Sequence, residues 1–224
     1  MEIEYYKKTF DISLPGFDLM FKNEINTMIY LLMNKIKCIP KILRVKIQKD
    51  NKEIFYEKIN GETLYDYNIE KLSLKEKLEL YLKILEAVFE IHELGLIHND
   101  INTCNIIING NEVYLIDFSE ARFIEKYYDK KYYSYTRGFS SIERYSNIEK
   151  NYYENDTYSL TAIFYFIIFN KKNPDICDTK YNYITHNNKK IEFFLKKGLS
   201  LNRLKRHRNI KNMIEKISDI IEKL

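Results

Sequence analysis

The chain has 224 residues, with 36 Lys and Arg against 32 Asp and Glu, for a formal charge of only +4. At 45% hydrophobic and 30% charged, with 6 Gly and 3 Pro, it is neither disordered nor fibrous, and it is long enough to bury one large core or two smaller lobes. Both signs of charge are mixed along the chain, so the basic stripe a nucleic-acid binder needs is missing and no nucleic-acid partner is expected. Cys38, Cys104 and Cys177 are odd in number, far apart and without CxxC spacing, which predicts free thiols in a reducing compartment. The acidic opening MEIEYYKKTF has no positive n-region and no apolar run behind it. The most apolar stretch, residues 160–169, is half of the ~20 residues a membrane crossing requires. A soluble, cytoplasmic protein with no membrane partner is expected.

Residues 3–10 predict a strand, and 11–17, with Pro15-Gly16, a turn-rich connector. Over 22–36 the apolar residues Ile25, Met28, Ile29, Leu32, Met33 and Ile36 recur at three-and-four spacing, which predicts an amphipathic helix. Residues 41–48 and 53–59 read as strands around a polar turn. A long helix is predicted over 72–94, with Gly95 at its end. Two short strands, 105–108 and 113–116, flank Asn109-Gly110-Asn111, a strong hairpin signal. Residues 118–139 are polar, tyrosine-rich and aperiodic. Residues 157–169 are apolar nearly all round, as in a buried helix, and two or three further helices follow from residue 189. The expected architecture is α+β: a small strand-rich lobe over 1–60 and a mainly helical lobe over 61–224, with a ligand cleft between them.

The chemistry-bearing segment is Ile97-His98-Asn99-Asp100-Ile101-Asn102-Thr103-Cys104-Asn105, followed by Leu115-Ile116-Asp117-Phe118-Ser119. It resembles the eukaryotic-like protein kinase superfamily, whose pattern is His-x-Asp, Asn five residues later, and Asp-Phe-Gly after a short hairpin. The register continues. Ser141-Ile142-Glu143 stands where the family has Ala-Pro-Glu, Asp156-Thr157-Tyr158-Ser159-Leu160 resembles the opening of its central helix, and Asn173-Pro174 and residues 199–206 fit later segments. The resemblance covers residues 3–222.

That resemblance implies a bilobal phosphotransferase, of Ser/Thr type because Thr136 stands near the catalytic Asp, using ATP and Mg²⁺ on a protein substrate. Asp100 would orient the attacking hydroxyl and accept its proton, and Asn105 and Asp117 would hold Mg²⁺. Lys7, preferred over Lys8, would hold the α/β-phosphates with Glu24 as its partner; alternation along the strand would then turn Tyr5 and Lys7 to the cleft and Tyr6 and Lys8 away. In the hinge, Tyr56 would be the gatekeeper, and Glu57 and Ile59 would offer backbone groups to adenine. Ile107 would pack on the base, and Glu62 would reach ribose or a basic substrate residue. His98 and Asp156 would be structural, and Glu143 would pair with Arg206 in a buried salt bridge.

Several positions depart from the family pattern. Only six residues precede Lys7, too few for the glycine-rich phosphate loop, so a minimal kinase relying on Mg²⁺ and one lysine is expected. Ser119 replaces a glycine, Asn99 an arginine and Asn102 a lysine. Without the arginine, a phosphate on Ser134, Tyr135 or Thr136 has no partner at that position, which predicts activity independent of activation-loop phosphorylation. Tyr127, Tyr128, Tyr132, Tyr133 and Tyr135 are candidate phosphorylation sites, although composition explains them equally well. Two other functions stay open: a catalytically weak pseudokinase acting as a binding module, and a small-molecule kinase, against which the 141–143 segment argues.

Overall fold

The structure, a computed structural model, describes residues 4–124, 135–145, 152–173 and 185–224. Tyr127, Tyr128, Tyr132, Tyr133, Ser134, Pro174 and Cys177 lie outside the described residues. Strand β1 (Tyr5–Asp11) leads through a tight turn, with Gly16 at φ 88, into helix α1 (Phe17–Met33). Strands β2 (Ile42–Ile47) and β3 (Asn51–Glu57) form a hairpin, and β1 adds to β3, giving an antiparallel sheet of order β1-β3-β2. Tyr6 lies opposite Tyr56 and Lys8 opposite Ile54. Helix α1 covers one face of this sheet, where Phe10 meets Phe21 edge to face at 5.6 Å.

The helix differs from the sequence expectation in its start and in its buried face. Phe21, Glu24, Thr27, Met28 and Leu31 point inward, while Ile29 and Met33 are exposed. The apolar count over 22–36 misses Glu24 because a carboxylate enters a core only when a tertiary partner waits for it.

Strand β4 (Glu62–Thr63) precedes α2 (Leu74–Glu93), which opens on a capping box between Ser73 and Glu76 and ends at Gly95, whose φ of 72 suits a residue without Cβ. Strands β5 (Leu96–Ile97), β6 (Ile106–Asn109), β7 (Glu112–Leu115) and β8 (Arg122–Phe123) follow, in sheets of order β4-β6-β7 and β5-β8. The remaining helices are α3 (Ile142–Tyr145), α4 (Tyr153–Phe169), α5 (Lys189–Gly198) and α6 (Ile210–Ile221). Tyr81 of α2 stacks on Phe164 of α4 at 4.5 Å, and Phe164 meets Phe194 of α5 at 5.1 Å. Gly198 lets α5 close on α4, since a Cβ there would stand 2.1 Å from the Thr161 hydroxyl. The result is a mixed α+β fold, a small antiparallel-sheet lobe beside a helical region, as the sequence predicts. Among the described residues no helix is long and apolar enough to cross a membrane.

Candidate active site

The site is built on two loops, one between β5 and β6 that α4 holds from below and one between β7 and β8 that is tied to the first by His98 and Asn99. Asp156, fully buried at the start of α4, accepts the backbone N–H of His98 and of Asn99, each at 2.8 Å, and the His92 Nε2–H at 2.9 Å. Burial would raise the Asp156 carboxyl, but these donors hold it below its ordinary range. His98 spans the two loops, accepting the Asp100 N–H on Nδ1 at 3.3 Å and donating from Nε2 to the Ile116 carbonyl at 3.2 Å. His98 is thereby a packed tie between the loops and does not face the cleft.

Asp100 stands above this platform. Thr136 Oγ1 donates to one of its carboxylate oxygens at 2.7 Å and Asn105 Nδ2 to the other at 3.0 Å. Burial raises the Asp100 carboxyl above its usual value, and the Thr136 hydrogen bond and nearby His98 only partly oppose this. A carboxylate moved upward in this way is a better proton acceptor than an exposed one. Asn102, which replaces a lysine of the pattern, is buried and braces the same loop, donating to the Asp100 carbonyl and accepting the Cys104 N–H.

Across from Asp100, Lys8 Nζ donates to Glu24 Oε2 at 3.1 Å and to Asp117 Oδ1 at 2.7 Å. This corrects the expectation for Lys7, which lies on the opposite face of β1, pairs with Glu53 at 3.0 Å and keeps half of its side chain in solvent. Tyr6 accordingly lines the cleft and Tyr5 packs edge-on against Phe55 at 5.3 Å. Burial works against the Lys8 charge, but the two carboxylates more than offset it and raise its pKa. Glu24 is itself raised, first by burial and also by nearby Asp117, while Lys8 and the Tyr56 hydroxyl, 2.7 Å from Oε1, favour its anion. Asp117 goes the other way: burial raises it, yet Lys8 and the Ser119 hydroxyl, at 2.6 Å, bring it below its ordinary value.

Asp117 and Asn99 both have φ 64, a left-handed conformation that Asp and Asn accept more readily than most residues, whereas Ser119 has no positive φ and so loses nothing by not being glycine. The Asn99 side chain reaches the Glu120 carbonyl and Asn155, and the Glu120 carboxylate takes Arg144 at 2.9 Å. Arg206 forms the expected buried pair with Glu143, with two contacts at 2.8 and 3.1 Å. Sequence reasoning missed Ser119 as a donor to Asp117, and it missed Asn23, whose Nδ2 lies against the carbonyls of Phe118, Ser119 and Ala121.

These groups line a cavity of about 450 Å³ between the sheet lobe and the helical region, with Tyr6, Lys8, Glu24 and Tyr56 on one side and Asn105, Ile107 and Asp117 on the other. At its closed end, the Glu57 N–H is donated to the Lys41 carbonyl and the Ile59 carbonyl is taken by Gly61. Glu57 and Ile59 both line the cavity. Gly61 must be small, because a Cβ would meet the Ile108 carbonyl oxygen at 2.3 Å. Glu62 pairs with Ile108 in β4 and lies outside the cavity lining.

The oxygen donors suit a hard divalent cation. Asp117 and Asn105 both line the cavity, and the second carboxylate oxygen of Asp117 and the amide oxygen of Asn105 take no hydrogen bond from a described residue. Among the described residues no three His, Cys, Asp or Glu side chains cluster into a complete metal site. An ion here would complete its shell with phosphate oxygens and water, the habit of Mg²⁺.

The family model described as protein kinase domain matches residues 18–224. Among curated proteins, the chain is 31% identical over 124 residues to the KEOPS complex subunit Bud32 of Pyrococcus abyssi, covering 54% of each chain. It is 28% identical over 123 residues to the RIO-type serine/threonine-protein kinase Rio2 of Methanocaldococcus jannaschii, covering 54% of this chain and 45% of Rio2. A probable serine/threonine-protein kinase PLK of Dictyostelium discoideum is 26% identical over 137 residues, 60% of this chain and 14% of that protein. The chain thus spans about half the length, or less, of these relatives.

Proposed function

The chain belongs to the protein kinase domain family, and on that premise we propose that it transfers the γ-phosphoryl group of ATP to Ser or Thr hydroxyls of a protein substrate. The observation that carries this reading is the Lys8 ammonium bridging the cleft from Glu24 on one wall to Asp117 on the other, where Asn105 also lies, hydrogen bonded to Asp100. Phosphoryl transfer asks a protein mainly for positioning and charge stabilisation. Lys8, kept cationic by its two carboxylates, binds phosphate oxygens. The base lies between Tyr6 and Ile107, with its edge on backbone groups of Glu57 and Ile59. Asp100 orients the acceptor hydroxyl and takes its proton as the oxygen attacks phosphorus and the bond to the leaving diphosphate breaks. Bound Mg²⁺, held by Asp117 and Asn105, supplies charge neutralisation at the phosphates. Thr136, hydrogen bonded to Asp100, supports a Ser/Thr acceptor.

In this reading the lobes divide near residues 60–61. Free thiols at Cys38 and Cys104 support a cytoplasmic location. The likeness to Bud32, a complex subunit by name, supports a partner protein besides the substrate. Calorimetric titration with ATP, with and without Mg²⁺, tests the site. The wild type is expected to bind ATP more tightly with Mg²⁺, and Asp117→Ala to lose at least about ten-fold of that gain, the order of one charge-assisted contact. Equal binding by both proteins would refute the metal assignment, and no binding by the wild type would refute the nucleotide reading.

A further inference from the structure

Asn23 occupies α1 one residue before Glu24, and the two side chains engage opposite ends of the same machinery. Glu24 holds Lys8. The Asn23 Nδ2 group sits 3.2 Å from the carbonyl of Phe118, 2.7 Å from that of Ser119 and 2.8 Å from that of Ala121. Three carbonyls of one short loop thus converge on a single amide that has two hydrogens to give. Arg122 Nη1 also reaches the Ser119 and Ala121 carbonyls, at 3.3 and 2.7 Å, and the Ala121 N–H closes the turn onto the Phe118 carbonyl at 3.1 Å, so Asn23 is the α1 side chain that clamps a loop already folded on itself. That loop begins at Asp117, whose backbone holds φ 64 and whose carboxylate meets Lys8. The Phe118 ring is fully buried against His98 at 4.7 Å, so the segment is pinned on one side by packing and on the other by Asn23.

We propose that Asn23 is a positioning residue that couples the placement of α1 to the placement of Asp117, so that Lys8 and the metal carboxylate are presented to the phosphates together. Geometry carries the inference: a shift of α1 that withdraws Glu24 from Lys8 also withdraws Asn23 from the loop behind Asp117. An asparagine that merely filled its own hydrogen-bonding capacity would need one or two carbonyls on its own helix, as Asn34 does with Tyr30 at 2.8 Å. Asn23 reaches across to a loop 95 to 98 residues away in sequence. The functional part of this proposal rests on the nucleotide reading above, whereas the coupling itself does not.

The test compares Asn23→Ala with Asn34→Ala, which also removes a side-chain bond to a backbone carbonyl on α1 but does not touch the Asp117 loop. Hydrogen exchange on the full chain reads the coupling without any ligand. Asn23→Ala is expected to speed exchange several-fold in peptides covering both α1 and residues 117–121, and Asn34→Ala only at the end of α1. Mg²⁺ titration of ATP binding reads the consequence: Asn23→Ala is expected to need several-fold more Mg²⁺ for half-saturation, and Asn34→Ala the wild-type amount. Unchanged exchange over 117–121 in Asn23→Ala, or equal effects of the two variants, would overturn the coupling. Faster exchange with an unchanged Mg²⁺ requirement would overturn the positioning role. A wild type that binds no ATP would remove the functional part together with the nucleotide reading and leave the exchange result to stand or fall alone.

Discussion

Lys7 and Lys8 are chemically identical and adjacent, and only the pleat of β1 separates them. Lys8 shares its face with Phe10, the most buried residue of the strand, while Lys7 meets Glu53 at the surface. Replacing Lys8 by Ala should lower kcat/KM by about 10²-fold or more, as loss of a preorganised charge at the phosphates does. Lys7→Ala should leave it within about two-fold, because exposed ion pairs contribute little. Steady-state kinetics with varied ATP distinguishes the two, and a larger effect at Lys7 would reverse the assignment. The choice was partly legible in sequence: strand alternation puts Phe10 and Lys8 together, but Tyr5 and Ile3 made the opposite face equally apolar. Asp100, Asn105 and Asp117 were legible because their spacing is fixed by local loops. Asn23 and Ser119 were not, since their partners depend on how α1 and the Asp117 loop meet in space.

Among the elements, α2 follows directly from its apolar stripe and α4 from being apolar nearly all round. Helix α1 does not, because Glu24 replaces an apolar residue on its inner face and the displaced Ile29 and Met33 point outward. The segment between Ser119 and Tyr145 is tied by polar groups that no periodicity reveals: the Glu120 carboxylate binds Arg144 inside the protein, and Asn99 takes the neighbouring carbonyl. A buried carboxylate thus joins the stretch at Glu120 to the stretch at Arg144.

The packing of α5 onto α4 and α6 carries a titration of its own. His207 is buried, donates from Nε2 to the Phe194 carbonyl at 3.0 Å and has no partner for Nδ1 among the described residues. Burial first, with Lys216 and Lys197 adding to it, lowers its pKa from 6.5 to about 4. The unfolded chain therefore binds a proton between those values that the folded chain refuses, and stability falls as pH drops from 6.5 toward 4. At about 1.4 kcal/mol per pH unit, the loss over this window is about 3 kcal/mol. Urea unfolding at several pH values should show this slope and its disappearance in His207→Gln; an equal slope in both proteins would place the effect elsewhere.

At the scale of the molecule, a near-neutral chain of 224 residues gathers its functional charge in one cleft. Lys8 faces Glu24 and Asp117 there, and Asp100 stands with Asn105 over the buried Asp156. The order of the motifs made the α+β kinase fold legible, because each motif is a local loop placed by a helix or hairpin beside it. The approach of the two walls of the cleft is a tertiary fact, and the sequence could state only its ingredients. The central claim is that these walls together move a phosphoryl group. It is tested most directly by incorporation of label from γ-labelled ATP into generic protein substrates in the presence of Mg²⁺, wild type beside Asp100→Asn. The account predicts transfer to Ser or Thr by the wild type and a drop of about 10²-fold or more in the variant, the order of a lost general base. Equal incorporation by the two proteins, or none by a wild type that binds Mg²⁺ and ATP, would contradict it.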